Sequence, residues 1–308
     1  MVDVEEVAEN IYMIDDKLYS VPGLGSVYLI DEEKKALIDS GPSTSADAVL
    51  DGIKRVGVNP DDIDYIIITH IHLDHAGGAG VLIKDMPQAQ VVVHHSGARY
   101  LVNPARLVSS VAKVQGEEGM KRYGEVVPIG KERVKPIYGG DVLKLGEEQA
   151  LKFIDAPGHA PHEICIYESQ NNGLFAGDAV GIYLAEYEVL LPVTPPPSFD
   201  SELFVNTLER LMGLNASMIY FAHFGATDKV QENLRLAADK LMTWDSILSS
   251  AIKGNKFDGV AEKMMARDSA ELEPVSQAES LYEYLINIIV PMNVNGYIKY
   301  YQEKYGLN

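Results

Sequence analysis

Three of the chain's eight histidines, with one aspartate, fall within the six residues His70 to His75, directly after the apolar run YIIIT. Isoleucines of that kind bury themselves, so the imidazoles and carboxylate that follow must find partners or stay near water. In an extended segment His70 and His72 stand two apart and can point to one side. Asp74 and His75 follow at once and can turn to a second point nearby. Neutral imidazole and carboxylate suit zinc, iron or manganese, and a chain with one cysteine cannot build a thiolate-rich site. The H-x-H-x-D-H spacing therefore reads as a metal site. Further donors lie downstream: His159 in APGHAPH, Asp178 beside Gly177 in LFAGDAVG, and His223 in IYFAHFG.

Other chemistry-bearing residues carry two readings each. Asp39, in LIDSGP, either accepts the outward N–H of a ligand histidine or caps the loop into the following helix. His162, three residues after His159, either lines the site or opens the next strand. His94 and His95 close the run QVVVHH and read as strand-end residues. Cys165, in the alternating run ICIYE, reads as a buried strand residue.

The elements that must hold these groups are visible in the periodicity. NIYMID, SVYLID and KKALIDS are short strand-like runs, the last two joined by a polar turn at residues 31–34 as a hairpin. Ala46, Val49, Leu50, Ile53 and Val56 recur at helical spacing, opened by Ser43 to Ser45 and closed by Gly57. The strand DYIIIT then delivers the histidine cluster at its C-terminal end. A similar passage follows downstream: ICIYESQNNGLFAGDAVG repeats the hairpin, residues 199–214 repeat the helix, and MIYFAHFG ends in a histidine. In that register Asp178 answers Asp39 and His223 answers His70. Residues 96–124 read as a helical insertion, and GDVLKLG and ALKFIDAPGHAP as strands after it. LPVTPPPSFD is stiff and extended, either a wall of the site's mouth or a connector. From 229 to 308 the pattern is helical and rich in tyrosine, a covering layer, a lid or substrate wall, or a dimer face.

Composition narrows the classes. A formal charge of -19, from 45 acidic against 26 basic residues with no dense cationic stripe, excludes nucleic acid and anionic membrane as main partners. The apolar stretch around LINIIVPM falls far short of the roughly 20 residues that cross a bilayer. The N-terminal MVDVEEVAEN is acidic where an export signal would be basic and then apolar, so a cytoplasmic location is expected.

With THIHLDHAGG, GHAPH, GDAVG and HFG in this order, the chain resembles the metallo-β-lactamase superfamily over roughly residues 10 to 228, and its glyoxalase II-like branch in the first motif and the helical tail. The resemblance implies an α/β fold, an αββα sandwich over residues 1–228 with a helical insertion and a helical C-terminal extension over 229–308. It implies that His70, His72 and His159 hold one metal, that Asp74, His75 and His223 hold a second, and that Asp178 bridges them. Two divalent ions follow, zinc being favoured and iron or manganese acceptable. In such a site a hydroxide shared between cations about 3.5–4 Å apart attacks an ester, thioester or lactone carbonyl of a small molecule, with Asp74 orienting it and handling its proton. Lactonases of the superfamily carry a carbonyl-polarising tyrosine three positions after the bridging aspartate. That position is Gly181 here; the nearest tyrosine is Tyr183, which either reaches the carbonyl or packs in the core. The missing basic cluster in the tail argues against a glutathione-like substrate, and acidity against nuclease activity. The alternative is an iron-dependent redox enzyme, persulfide dioxygenase-like or dioxygen-binding, although flavodiiron-type members place glutamate where this chain has His72. A homodimer through the tail is compatible with the pattern.

Overall fold

The computed structural model describes residues 4–253 and 259–306. Strands β1 (Val4–Ala8), β2 (Ile11–Asp15), β3 (Ser26–Ile30), β4 (Lys35–Ile38), β5 (Ile63–Ile68), β6 (Gln90–His94) and β7 (Val134–Ile137) form one sheet in that order. After them come β8 (Val142–Lys144), β9 (Ala150–Asp155), β10 (Ile164–Glu168), β11 (Gly173–Phe175), the pair β12 (Ile182–Leu184) and β13 (Val189–Leu191), then β14 (Met218–Phe221) and β15 (Gly225–Thr227). The second sheet has the order β15-β14-β11-β10-β9-β8, and β12 with β13 makes a separate hairpin.

Strand alternation explains why these runs are apolar on both faces. On β3, Tyr28 and Ile30 face the second sheet while Val27 and Leu29 face outward to helices. On β5, Tyr65 and Ile67 face inward, and Ile66 and Ile68 outward. In the second sheet Ile164, Ile166, Phe175 and Tyr220 complete the inner core, while Cys165, Leu174, Ile219 and Phe221 meet the opposite helical layer. Sheets covered on both sides read as continuous hydrophobic strands rather than as alternating ones.

Helix α1 (Ala46–Val56) packs Val49 and Ile53 under the first sheet. The single turns α2 (Leu73–Ala76) and α3 (Ala79–Leu82) follow β5. The expected insertion comprises α4 (Ala98–Val102) and α5 (Ala105–Tyr123), the latter broken at Gly116, where φ is 69°. Helix α6 (Ser201–Met212) begins at Asp200, whose side chain accepts the Leu203 N–H at 3.0 Å. Together with α7 (Val230–Lys253), α8 (Val260–Glu271) and α10 (Val290–Tyr305) it covers the second sheet through one continuous core centred on Phe204, Leu234 and Trp244. Helix α9 (Glu279–Tyr284) runs into α10 through a π-helical turn at Leu285–Ile289. Layers run helix, sheet, sheet, helix, and the tail adds helices to the outer layer.

The internal repeat is present in the topology. β3 and β4 pair antiparallel, α1 crosses over, and β5 lies parallel to β4; β10 and β11 pair antiparallel, α6 crosses over, and β14 lies parallel to β11. Strands β1, β7, β12, β13 and β15 were not expected from the pattern, being short.

Asp268 is a pH-sensitive element of the tail core. It accepts a hydrogen bond from Trp244 Nε1 at 3.1 Å, and burial, with Glu271 beside it, pushes its carboxyl up to about 7 from 3.8. The folded state then holds a proton that the unfolded state has released between pH 4 and 7. Stability must fall as pH rises through that window, by at most roughly 1.4 kcal/mol per unit from this group. Asp268→Asn keeps the acceptor and removes the titration. Its denaturation midpoint relative to wild type is expected to rise between pH 5 and pH 8; an equal gap at both pH values would remove Asp268 from the account.

Candidate metal centre

Each ligand candidate leaves a strand end or the loop just beyond one. β5 ends at Ile68, and the chain then passes His70 and His72 before turning into α2, whose first turn carries Asp74 and His75. This turn is locked onto the loop after β4: the Ser40 N–H and hydroxyl both donate to the His75 carbonyl at 2.8 Å. The approach is so close that a Cβ on Gly78 would lie 2.9 Å from the carbonyl oxygens of Ser40, Gly41 and Pro42. That contact accounts for the second glycine in HAGG, and the Leu73 carbonyl oxygen, 2.4 Å from a Cβ on Gly77, for the first. Asp178 follows β11, His223 follows β14, and His159 sits on the loop between β9 and β10.

The side chains converge in two sets. His70 Nε2 and His159 Nε2 each lie 2.9 Å from His72 Nδ1. Asp74 Oδ2 is 3.8 Å from both His75 Nε2 and His223 Nε2. Asp178 stands between the sets with one oxygen for each. Its Oδ2 is 3.4 Å from His159 Nε2 and 4.0 Å from His70 Nε2, and its Oδ1 is 3.5 Å from His75 Nε2 and 3.4 Å from His223 Nε2. The donor atoms of His70, His72 and His159, of His70, His75 and Asp178, and of Asp74, His75 and His223 each fall within 4.8 Å of one another.

The far ring nitrogens of His75, His159 and His223 are fixed from behind by acceptors, which settles their tautomers. His75 Nδ1 donates to Asp39 Oδ2 at 2.9 Å, His159 Nδ1 to the Val193 carbonyl at 2.9 Å, and His223 Nδ1 to the Leu24 carbonyl at 3.2 Å. Thr69 donates its N–H and hydroxyl to Asp39, and its hydroxyl oxygen faces His70 Nδ1 at 3.2 Å. Asp39 thus takes the partner geometry rather than that of a helix cap, and α1 has no side-chain cap bond at Ser45.

Electrostatics separate the two sets. Burial, then its histidine neighbours, hold His70 well below the usual imidazole range. His72 falls to about 3 through burial and His159. Burial lowers His159 although Asp178 opposes it. At His75 burial acts the same way, but Asp178, Asp74 and Asp39 outweigh it and raise the imidazole well above its ordinary value; at His223 Asp178 outweighs burial and raises the imidazole. Burial opposes the charge of Asp178, but His223, His75 and His159 hold its carboxyl below the usual range. Glu163, buried beside it, is pushed up by burial and by Asp178, whose N–H it accepts at 2.6 Å.

These residues fit a divalent cation in each set. His75 Nε2 and Asp178 Oδ1 are buried without a hydrogen-bond partner among the described residues, an arrangement proteins otherwise avoid. Both atoms face the common gap. The set is nitrogen and oxygen only, and the one thiol, Cys165, is buried in a strand and raised by that burial.

The centre opens into a cavity of about 600 Å³. His162 lines it, its ring stacked 6.3 Å from His70, and its Nδ1 faces the Ile71 N–H at 3.5 Å. Pro195, Pro196 and Pro197 form part of its wall, so the proline segment is wall as well as connector. His94 and His95 stay apart: His94 Nδ1 bonds Ser96 at 2.7 Å and His95 stacks on Tyr138. Of the two readings of Tyr183, the structure supports packing and not the carbonyl-polarising role. On β12 it is Ile182 that faces the cavity, and Tyr183 turns into the core, stacked 4.8 Å from Phe221. Tyr19, Tyr123 and Tyr284 line the cavity instead. The available hint was a surplus of 17 tyrosines over 7 phenylalanines.

A family model described as the metallo-beta-lactamase superfamily matches residues 20–223. The metallo-beta-lactamase fold-containing protein ST1585 of Sulfurisphaera tokodaii is 30% identical over 217 residues, 68% of this chain and 77% of that protein. Its crystal structure superposes with a TM-score of 0.65 at 27% identity, covering 76% of this chain and 86% of that one. The flavo-diiron protein FprA2 of Clostridium acetobutylicum is 28% identical over 162 residues, 52% of this chain but only 35% of its own length. An N-acyl homoserine lactonase from Bacillus is 26% identical over 185 residues, 58% of this chain and 63% of its own length. Family match, layered fold and converging ligands agree, and the chain belongs to the metallo-beta-lactamase superfamily.

Proposed function

We propose that the protein is a binuclear metal-dependent hydrolase acting on an ester, thioester or lactone carbonyl. The observation that carries this reading is the placement of Asp178, with one carboxylate oxygen toward each imidazole set. In this reading His70, His72 and His159 hold the first cation and Asp74, His75 and His223 the second, with zinc the favoured metal. Bound divalent cations supply Lewis acidity and lower the pKa of water to near neutrality. Asp74 lines the cavity together with His72, with a side chain 20% exposed. It orients the attacking water and takes its proton. Val193, Leu24, Asp39 and Thr69 keep the imidazoles aimed, so the geometry is set before substrate arrives. The glyoxalase II-like branch is proposed on the THIHLDHAGG motif and helical tail.

A second reading, an iron redox enzyme, draws support from the likeness to FprA2. Elemental mass spectrometry on protein purified without added metal, followed by assay on ester, thioester and lactone panels, separates the two. Two zinc or manganese ions per chain with hydrolytic turnover are expected. Iron with oxygen uptake and no hydrolysis would overturn the hydrolase.

A further inference from the structure

Beside the metal centre lies a second group of polar side chains contributed by three distant parts of the chain. Tyr19 comes from the loop between β2 and β3, Tyr123 from the end of α5, and Tyr284 from the end of α9. Their rings meet at centroid distances of 5.5 Å for Tyr19 with Tyr123 and 5.4 Å for Tyr19 with Tyr284. Arg122 lines the same cavity as Tyr123 and Tyr284.

Two features mark this group as built. Lys17, Tyr19 and Ser20 all have φ between 52° and 65°, a conformation that costs side-chain-bearing residues energy and is kept where its result is needed. It places Tyr19 on the cavity wall. The end of α5 is tied to the catalytic loop: the Thr44 hydroxyl donates to the Arg122 carbonyl at 2.7 Å and the Ser43 hydroxyl to the Glu125 carbonyl. Tyr123 and Arg122 are therefore held against the same loop that positions His75.

The charge of the lining is the second argument. Acidic residues outnumber basic ones 45 to 26 in the chain, yet the carboxylates lining this cavity are Asp74 and Asp178, both of the metal centre. Its other charged lining residues are Arg106 and Arg122, and neither makes an ion pair among the described residues. Phenols stay protonated at neutral pH and donate hydrogen bonds. Asp74 does not oppose an anion here, because in the proposed centre its charge is taken up by a cation.

We propose that Arg122 with the hydroxyls of Tyr19, Tyr123 and Tyr284 forms a subsite for a carboxylate carried by the substrate. This rests on the hydrolase reading and narrows its substrate to carboxylate-bearing esters, thioesters or lactones. The carboxylate is anchored by a charge-assisted bond to arginine and by phenol donors. That leaves the adjacent carbonyl over the metal ligands, where water adds, the bond to the leaving oxygen or sulfur breaks, and the leaving group takes a proton.

The test uses two ligand pairs on the metal-loaded full chain. Calorimetry compares binding of 4-hydroxybenzoate with its uncharged methyl ester, and kinetics compare hydrolysis of 4-acetoxybenzoate with methyl 4-acetoxybenzoate. Wild type is expected to bind the carboxylate roughly tenfold or more tightly than the ester, the worth of one charge-assisted hydrogen bond. Arg122→Gln, Tyr123→Phe and Tyr284→Phe should reduce that ratio severalfold with metal content unchanged. No preference in wild type, or a preference that survives in Arg122→Gln because the carboxylate sits on the metals, overturns the subsite. A binding preference lost in the variants, with neither acetate ester hydrolysed, upholds the subsite and counts against the hydrolase. Hydrolysis without a preference does the reverse.

Discussion

Asp178→Ala is expected to lower metal content below two ions per chain and to abolish hydrolysis together. The aspartate's two oxygens face different imidazole sets at 3.4–3.5 Å, so truncation removes a ligand from both. The loss should exceed the ~10–100-fold that removal of an outer partner of a metal ligand causes. Asp178→Asn, which keeps the shape and one carbonyl oxygen, should fall between wild type and alanine. Elemental analysis of dialysed protein with parallel rates decides the matter. A fully loaded and fully active alanine variant would sink the bridging assignment.

Asn293→Ala should be the most damaging single change in the tail. Asn293 is fully buried; its Nδ2 donates to the Pro192 carbonyl at 2.8 Å and its Oδ1 accepts the Thr194 N–H at 2.8 Å. Truncation orphans both backbone groups, at about 1–3 kcal/mol each. Between those two residues lies Val193, whose carbonyl holds His159. A lower urea midpoint and weaker metal retention are therefore expected together. If the midpoint does not move, the amide contributes nothing that water cannot replace.

How much of this was legible in the sequence depends on how local each signal is. The residues that converge in the candidate centre were legible because His70 to His75 lie within one strand end and its turn, and because the second hairpin repeats the first closely enough to align Asp178 with Asp39. The sandwich followed from the same repeat. Tyr183 stayed open between the cavity and the core because a strand residue's facing depends on parity, and a shift of one position exchanges the two faces; Ile182 took the cavity side. The phenol group was not legible, since Tyr19, Tyr123 and Tyr284 approach only after three separated segments have packed. Asp39 stayed ambiguous because a cap and a histidine partner demand the same carboxylate at the same loop. Only the position of His75 behind it tells them apart.

The contact between α10 and the proline segment also limits how this protein can be recombined. A Cβ on Gly296 would lie 1.6 Å from the Thr194 carbonyl oxygen, so helix and loop leave no room between them for a side chain. A chimaera that grafts a foreign tail onto residues 1–228 would inherit a loop with no glycine to receive it and no amide to bind it. Transplants should therefore exchange residues 192–197 and 290–297 as one cassette, and shuffling libraries that cut between them are expected to yield few metal-retaining clones.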